Sequence, residues 1–149
     1  MKLLLACLLA ATTAVPAIAQ KKAARTIEIT GTDNMKFDKT TIDARPGETL
    51  RIVLKSVGKA PKTIMGHNFV LLKLGTDVDA FNQAAFNARA TDFIPADQKT
   101  KIIANTALVG PGETVEVTFT VPAKAGSYDY ICSFPGHFAM GMKGKLIVK

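Results

Sequence analysis

The sequence is short of histidine and cysteine, with two of each in 149 residues. One of the cysteines, Cys7, falls in residues 1–19, which read as a cleaved leader. Lys2 gives a positive start, residues 3–15 an apolar run, and Ala17-Ile18-Ala19 before Gln20 a small-x-small cleavage signal. Only six residues precede Cys7, too few for an export core, which argues against lipid attachment there. Without the leader, Cys132 has no partner in its own chain, so no internal disulfide forms. An odd cysteine in an oxidising compartment is a hazard unless something occupies it. Long apolar runs are also missing. The stretch before Pro16 is shorter than the roughly 20 residues that cross a bilayer, which excludes a permanent membrane anchor. No Lys/Arg run exceeds Lys21-Lys22 and no aromatics interleave with basic residues, which excludes a base-stacking nucleic-acid surface.

What remains, residues 20–149, suits one domain with a single core. The formal charge of +7 falls by one with Lys2, to +6, which favours acidic partners or an anionic surface; solubility alone explains it equally well. After a short solvated lead-in over residues 20–25, segments of strand type fall at 26–30, 40–44, 50–56, 68–74, 114–121, 127–132 and 143–148. The clearest alternates Val115, Val117, Phe119 and Val121 with Glu116, Thr118 and Thr120, the period of a half-buried strand. Pro-Gly-Glu-Thr occurs at 46–49 and again at 111–114, each copy a tight turn feeding a strand. Such spacing predicts an antiparallel sandwich or barrel. One stretch differs. Over residues 76–90, Val78, Phe81, Ala85 and Ala88 recur at helical spacing, with Thr76 or Asp77 as cap and Pro95 as a stop. This predicts one short helix outside the sandwich, covering a sheet edge or an end of the core.

The scarce residues are concentrated. His67 lies in Met65-Gly66-His67-Asn68, and Cys132 and His137 lie in Cys132-Ser133-Phe134-Pro135-Gly136-His137, followed by Met142. Two imidazoles, a thiolate and a nearby thioether are the ligand set of a blue-copper electron-transfer site. A lone cysteine is ordinarily a small core hydrophobe, and a lone histidine a surface or hydrogen-bonded core residue. Their joint occurrence in these two contexts favours a metal. Cys132 ends a strand, and Pro135-Gly136 turns His137 back beside it. A cysteine hydrolase needs an orienting group and an oxyanion hole that nothing here supplies, and thioether is a poor zinc ligand.

The two motifs, with Phe69-Val70-Leu71 after the first and Met142-Lys143-Gly144 after the second, resemble azurin and auracyanin, blue copper proteins of the cupredoxin family. The similarity spans nearly the whole mature chain, including Met35-Lys36-Phe37, the helical insert and residues 103–113. It implies an all-β Greek-key β-sandwich with one short helix in an insert, and one copper ion. His67, Cys132 and His137 would be strong ligands, Met142 the weak axial one, and the Gly66 carbonyl would approach from the opposite side. The backbone N–H groups of Asn68 and Phe134 would hydrogen-bond the thiolate, and the Asn68 side chain would lock the two ligand loops together. Three departures stand out. The mature chain cannot form the disulfide usual near an azurin's N-terminus. Phe69 replaces a frequent tryptophan, and the His-to-Met gap is one residue longer than in azurin. The longer gap leaves Met140 as a rival to Met142.

The resemblance further implies a single-electron carrier, not an enzyme, exported to the periplasm. Redox proteins would dock at an apolar patch around His137 made by Pro135, Phe138, Ala139, Met65 and Met140. His137 itself would reach the surface, and Lys59, Lys62, Lys143 and Lys145 would steer acidic partners. The chain is expected to be a monomer. A periplasmic copper chaperone or buffer is the alternative, disfavoured because no His- or Met-rich tract is present. A multicopper enzyme would need histidines the chain does not have.

Overall fold

Leu50, Ile52 and Leu54 point to one side of their strand and are fully buried, and around such alternations the computed structural model, which describes residues 23–149, builds two facing sheets. The leader over residues 1–19 lies outside the described residues. The strands are β1 (Arg25–Thr32), β2 (Lys36–Phe37), β3 (Thr41–Ala44), β4 (Thr49–Ser56), β5 (Val70–Leu72), β6 (Ile102–Asn105), β7 (Thr114–Thr120), β8 (Gly126–Ile131) and β9 (Lys143–Val148). One sheet has the order β2-β1-β4-β7, the other β3-β9-β8-β5-β6. The sheets are mixed rather than purely antiparallel as expected, because β1 runs parallel to β4 and β3 parallel to β9. Between them Ile29, Leu50, Ile52 and Leu54 meet Leu71, Tyr128, Tyr130, Leu146 and Val148 in one core. Val115, Val117 and Phe119 pack against that core but stay half-buried, since β7 is an edge strand.

The two Pro-Gly-Glu-Thr copies make matching turns. Gly47 and Gly112 have φ of 72° and 73°, a conformation glycine adopts without strain. Each glutamate carboxylate accepts the N–H three residues back, Arg45 for Glu48 and Gly110 for Glu113. Each turn is also stitched to the far end of the partner strand: Gly47 N–H donates to Val121 and Gly112 N–H to Ser56. The repeated tetrapeptide thus fixes both ends of the antiparallel β4–β7 pair.

Among the described residues two α-helices complete the fold: α1 (Lys62–Met65), a single turn beyond the one helix expected, and α2 (Val78–Phe86), within the predicted 76–90 stretch. Asp77 caps α2, its carboxylate accepting the Ala80 N–H at 3.0 Å. α2 ends well before Pro95. The chain then makes a 3-10 turn at Arg89–Thr91 and passes through positive φ at Asp92 and Phe93, while Pro95 starts a second 3-10 segment at Ala96–Lys101. α2 does not cover an edge or an end of the core as expected. Its buried Phe81 packs with Val70, Leu72 and Ile131, the residues of β5 and β8 that alternate with the core-facing Leu71 and Tyr130. The helix therefore covers the outer face of the five-stranded sheet, which is why β5 is buried on both sides.

Candidate metal centre

β8 ends at Ile131, and the next residue, Cys132, is held at the mouth of the β8–β9 connection by its N–H donating to the Met142 carbonyl at 3.0 Å. The connection then doubles back. His137 N–H donates to Phe134 O at 3.1 Å across Pro135-Gly136, with Gly136 at φ 84°, a proline-glycine reverse turn. A second set of turns follows, Gly141 N–H to Phe138 O and Met142 N–H to His137 O, both at 2.9 Å. The tight ring brings Cys132, His137 and Met142 within one small end of the sandwich.

His67 arrives differently. The sequence pattern predicts a strand from residue 68, just after it, but β5 starts only at Val70. His67 is held by a lone antiparallel bridge to Val109, with N–H···O distances of 2.9 and 2.8 Å. Gly66 before it is buried where a Cβ would run into Leu108 and the Lys62 carbonyl, both at 2.8 Å.

The donor atoms converge. His67 Nδ1 lies 3.3 Å from His137 Nδ1, and Cys132 Sγ lies 3.4 Å from His137 Nδ1. The donor atoms of His67, Cys132 and His137 all fall within 4.8 Å of one another, and all three residues are buried. Met142 is fully buried, and its Cε and the His67 ring both lie about Gly31, where an added Cβ would come within 3.0 Å of Cε and 2.9 Å of the ring. Met140 is 54% exposed. Of the two candidate thioethers, the structure puts Met142 beside the donors and Met140 at the surface.

The electrostatics fit a cation. Burial pushes the Cys132 thiol up to about 12, partly offset by the backbone N–H groups of Asn68 and Phe134, which hydrogen-bond the sulfur. Burial, then the neighbouring His67, takes His137 down to about 4; burial also lowers His67, against a raising effect from Asp33. Without an ion the pocket is therefore neutral: a thiol and two imidazoles. Two N–H donors aimed at sulfur suit a thiolate, and a buried thiolate needs a positive charge beside it. The two Nδ1 atoms face one another at 3.3 Å, and both could ligate a soft cation. His67 Nε2 is the one buried side-chain nitrogen or oxygen without a hydrogen-bond partner among the described residues.

The polar frame around the donors is nearly complete. Asn68 Oδ1 accepts the Ser133 N–H at 2.8 Å, and Asn68 Nδ2 donates to Ser133 Oγ at 2.9 Å and to Asp92 O at 3.1 Å. The single Ser133 hydroxyl proton goes to Phe93 O at 2.8 Å. Asn68 thus ties the His67 segment to the Cys132 loop, and Ser133 ties both to the left-handed turn at Asp92 and Phe93. Ser133 is not among the ligands and supporting residues expected from the sequence. Its position directly after the cysteine was the available signal; nothing local marks Asp92 or Phe93.

Several expected surface features differ. His137 keeps only 1% of its surface, so it lies beneath the surface rather than on it. Phe138 is also buried. Its ring joins the cluster under α2, with Lys143 Nζ 4.7 Å from its centroid. The exposed large apolar side chains nearest the donors in sequence are Ile64 and Met140, at 64% and 54%. Lys62 and Lys145 are engaged by Glu113 and Asp129 at 2.9 and 2.6 Å, leaving Lys59 and Lys143 without a carboxylate partner among the described residues.

Gly144, just past Met142, is a steric requirement. A Cβ there would lie 2.2 Å from Tyr130 Cζ and 2.3 Å from its hydroxyl oxygen. Tyr130 cannot yield readily, being fully buried with its hydroxyl donating to Lys39 O at 2.7 Å. Gly144→Ala is expected to destabilise the protein by about 1–3 kcal/mol, the usual cost of overpacking. A denaturation midpoint equal to wild type would contradict this.

A sequence model of the family described as copper binding proteins, plastocyanin/azurin family, matches residues 23–149. Azurin-1 of Alcaligenes xylosoxydans xylosoxydans is 40% identical over 123 residues, spanning 80% of this chain and 94% of its own. Auracyanin-A of Chloroflexus aurantiacus is 42% identical over 119 residues, spanning 78% of this chain and 68% of its own. The crystal structure of dithionite-reduced auracyanin from Roseiflexus castenholzii superimposes with a TM-score of 0.74 at 39% identity, covering 85% of this chain and 99% of that one.

Proposed function

This chain belongs to the copper-binding plastocyanin/azurin family, with copper as its cofactor, and on that basis we propose that it is a blue-copper electron carrier working between larger redox proteins in the periplasm. The observation that carries the reading is the convergence of two imidazole Nδ1 atoms and one thiol within 4.8 Å inside a closed pocket. When bound, copper supplies a one-electron couple that needs no proton or substrate. The chain's own residues do the rest. His67 and His137 offer neutral nitrogens, Cys132 a thiolate steadied by the Asn68 and Phe134 N–H groups, and Met142 a thioether. In the family's pattern the Gly66 carbonyl would also approach the ion. Ser133, Asn68 and the turns of the 132–142 loop resist rearrangement, which keeps the cost of changing oxidation state low. His67 and Cys132 are completely buried, which supports a carrier over a catalyst. Among the described residues no helix is long and apolar enough to cross a membrane.

Partners would dock over the ligand loops at Ile64, Met140 and the backbone of Gly136 and Ala139. A small apolar area of this kind suits redox encounters burying under about 1,200 Å². Lys59 and Lys143 would steer acidic partners, so transfer rates to such a partner are expected to fall as salt rises; a flat response removes the steering role.

Voltammetry of the copper-loaded protein tests the carrier reading. Reversible one-electron reduction with slow loss of copper to an external chelator is expected. Rapid exchange without a reversible couple would instead favour copper handover. The axial assignment has its own test: Met142→Leu is expected to shift the reduction potential and Met140→Leu to leave it in place. The reverse pattern would reassign the ligand.

A further inference from the structure

We propose that Lys36 is a positioning residue of the metal centre, its ammonium bolting the 137–142 loop to the opposite sheet and its charge raising the reduction potential. The proposal rests on the copper-centre reading above and extends it to a residue outside the donor set.

Lys36 Nζ donates to the carbonyl oxygen of Met140, 104 residues away in sequence. The backbone bonds at the His137, Phe138 and Gly141 carbonyls are all made inside the loop or at its exit, to Met142, Gly141 and Lys143. Those bonds set the loop's shape but do not fasten it to the rest of the molecule. Both ends of the loop run into β8 and β9 of the five-stranded sheet, whereas Lys36 belongs to β2, at the edge of the other sheet. The bond to Met140 therefore crosses between the sheets at the metal end.

The base of the bolt is stiff. Met35, at φ 54°, closes the β1–β2 turn with its N–H on Thr32 O at 2.9 Å. Phe37, next to Lys36, is only 4% exposed, with its ring 5.8 Å from that of Tyr130. The receiving side is shaped to match. Gly141 has φ 92°, and a Cβ there would lie 2.5 Å from Lys36 Nζ. A side chain at residue 141 would occupy the space the ammonium uses. Lys36 makes no ion pair among the described residues, so its charge is not cancelled by a neighbouring carboxylate. An uncancelled positive charge at the loop that carries His137 and Met142 favours the ion's less positive state, which raises the potential.

Lys36→Met keeps most of the apolar stem and removes both donor and charge, while Lys36→Arg keeps both. Amide hydrogen exchange on the metal-free proteins and midpoint potentials on the copper-loaded ones separate the possibilities. Lys36→Met is expected to exchange several-fold faster at Gly141 and Met142, with Ile52 and Leu54 in β4 unchanged, and to have a lower potential. Lys36→Arg is expected to match wild type in both. Wild-type exchange rates in Lys36→Met, or a potential that does not fall, overturn the proposal. A wild-type protein that took up copper without colour would refute the copper-centre reading instead, since exchange in the metal-free protein tests the bolt separately.

Discussion

Cys132→Ala is expected to yield a folded protein whose copper-loaded form lacks the intense orange-red absorption of a copper–thiolate bond. Cys132 is fully buried in the main core, so removing its sulfur leaves a methyl-sized void that costs on the order of 1 kcal/mol. A domain of this size tolerates that loss. His67 and His137 keep their Nδ1 atoms 3.3 Å apart, so the variant still has two donors and still takes up the ion. The change is thus one of ligand chemistry, because the thiolate is the one donor that gives the strong visible band. Absorption spectra of both copper-loaded proteins, with circular dichroism to verify folding, decide it. A variant that keeps the band contradicts Cys132 as ligand.

The metal-free protein is expected to lose about 3 kcal/mol of stability as pH falls from about 6.5 to about 4. In the folded chain His137 is down at about 4 through burial and the adjacent His67, against an ordinary value of 6.5. Between those values the unfolded chain binds a proton that the folded chain refuses. Stability therefore declines as pH drops through the unfolded value and levels off below the folded one. At about 1.4 kcal/mol per unit, a difference of 6.5 − 4 gives the stated size. His67 is lowered too and adds in the same direction. At the alkaline end the sign reverses. Cys132 is raised from 9.0 to about 12, so its contribution is complete below the unfolded value and is lost as pH rises between them. Urea titrations of metal-free wild type and His137→Gln check the acid limb. The variant is expected to lose most of the slope; an equal slope in both would place the linkage elsewhere.

The parts of this molecule written in local patterns were readable in the sequence. Strand β4 follows from Leu50, Ile52 and Leu54, the β4–β7 ends from two copies of Pro-Gly-Glu-Thr, and the thiolate loop from the spacing of Cys132, Pro135-Gly136, His137 and Met142. What escaped depends on distant pairing. Strand β2 has two residues, too few for a period, and the four of β6, Ile102–Asn105, do not alternate apolar with polar. His67 owes its position to Val109, forty-two residues on, and no local signal encodes that bridge. The outer-face role of α2 was hidden because Val70, Leu71 and Leu72 form an unbroken apolar run that names no preferred side. The place of Phe138 beside His137 suggests a surface residue, yet the cluster under α2 takes it in. Lys36 has the sequence of an ordinary surface lysine; only the folded loop shows what it holds.

Copper-edge X-ray absorption on the loaded wild-type protein tests the central claim most directly. One sulfur and two imidazole nitrogens in the innermost ligand shell are expected, with the sulfur signal absent in Cys132→Ala. A shell of oxygen and nitrogen alone in the wild type would mean that His67, Cys132 and His137 do not share one ion.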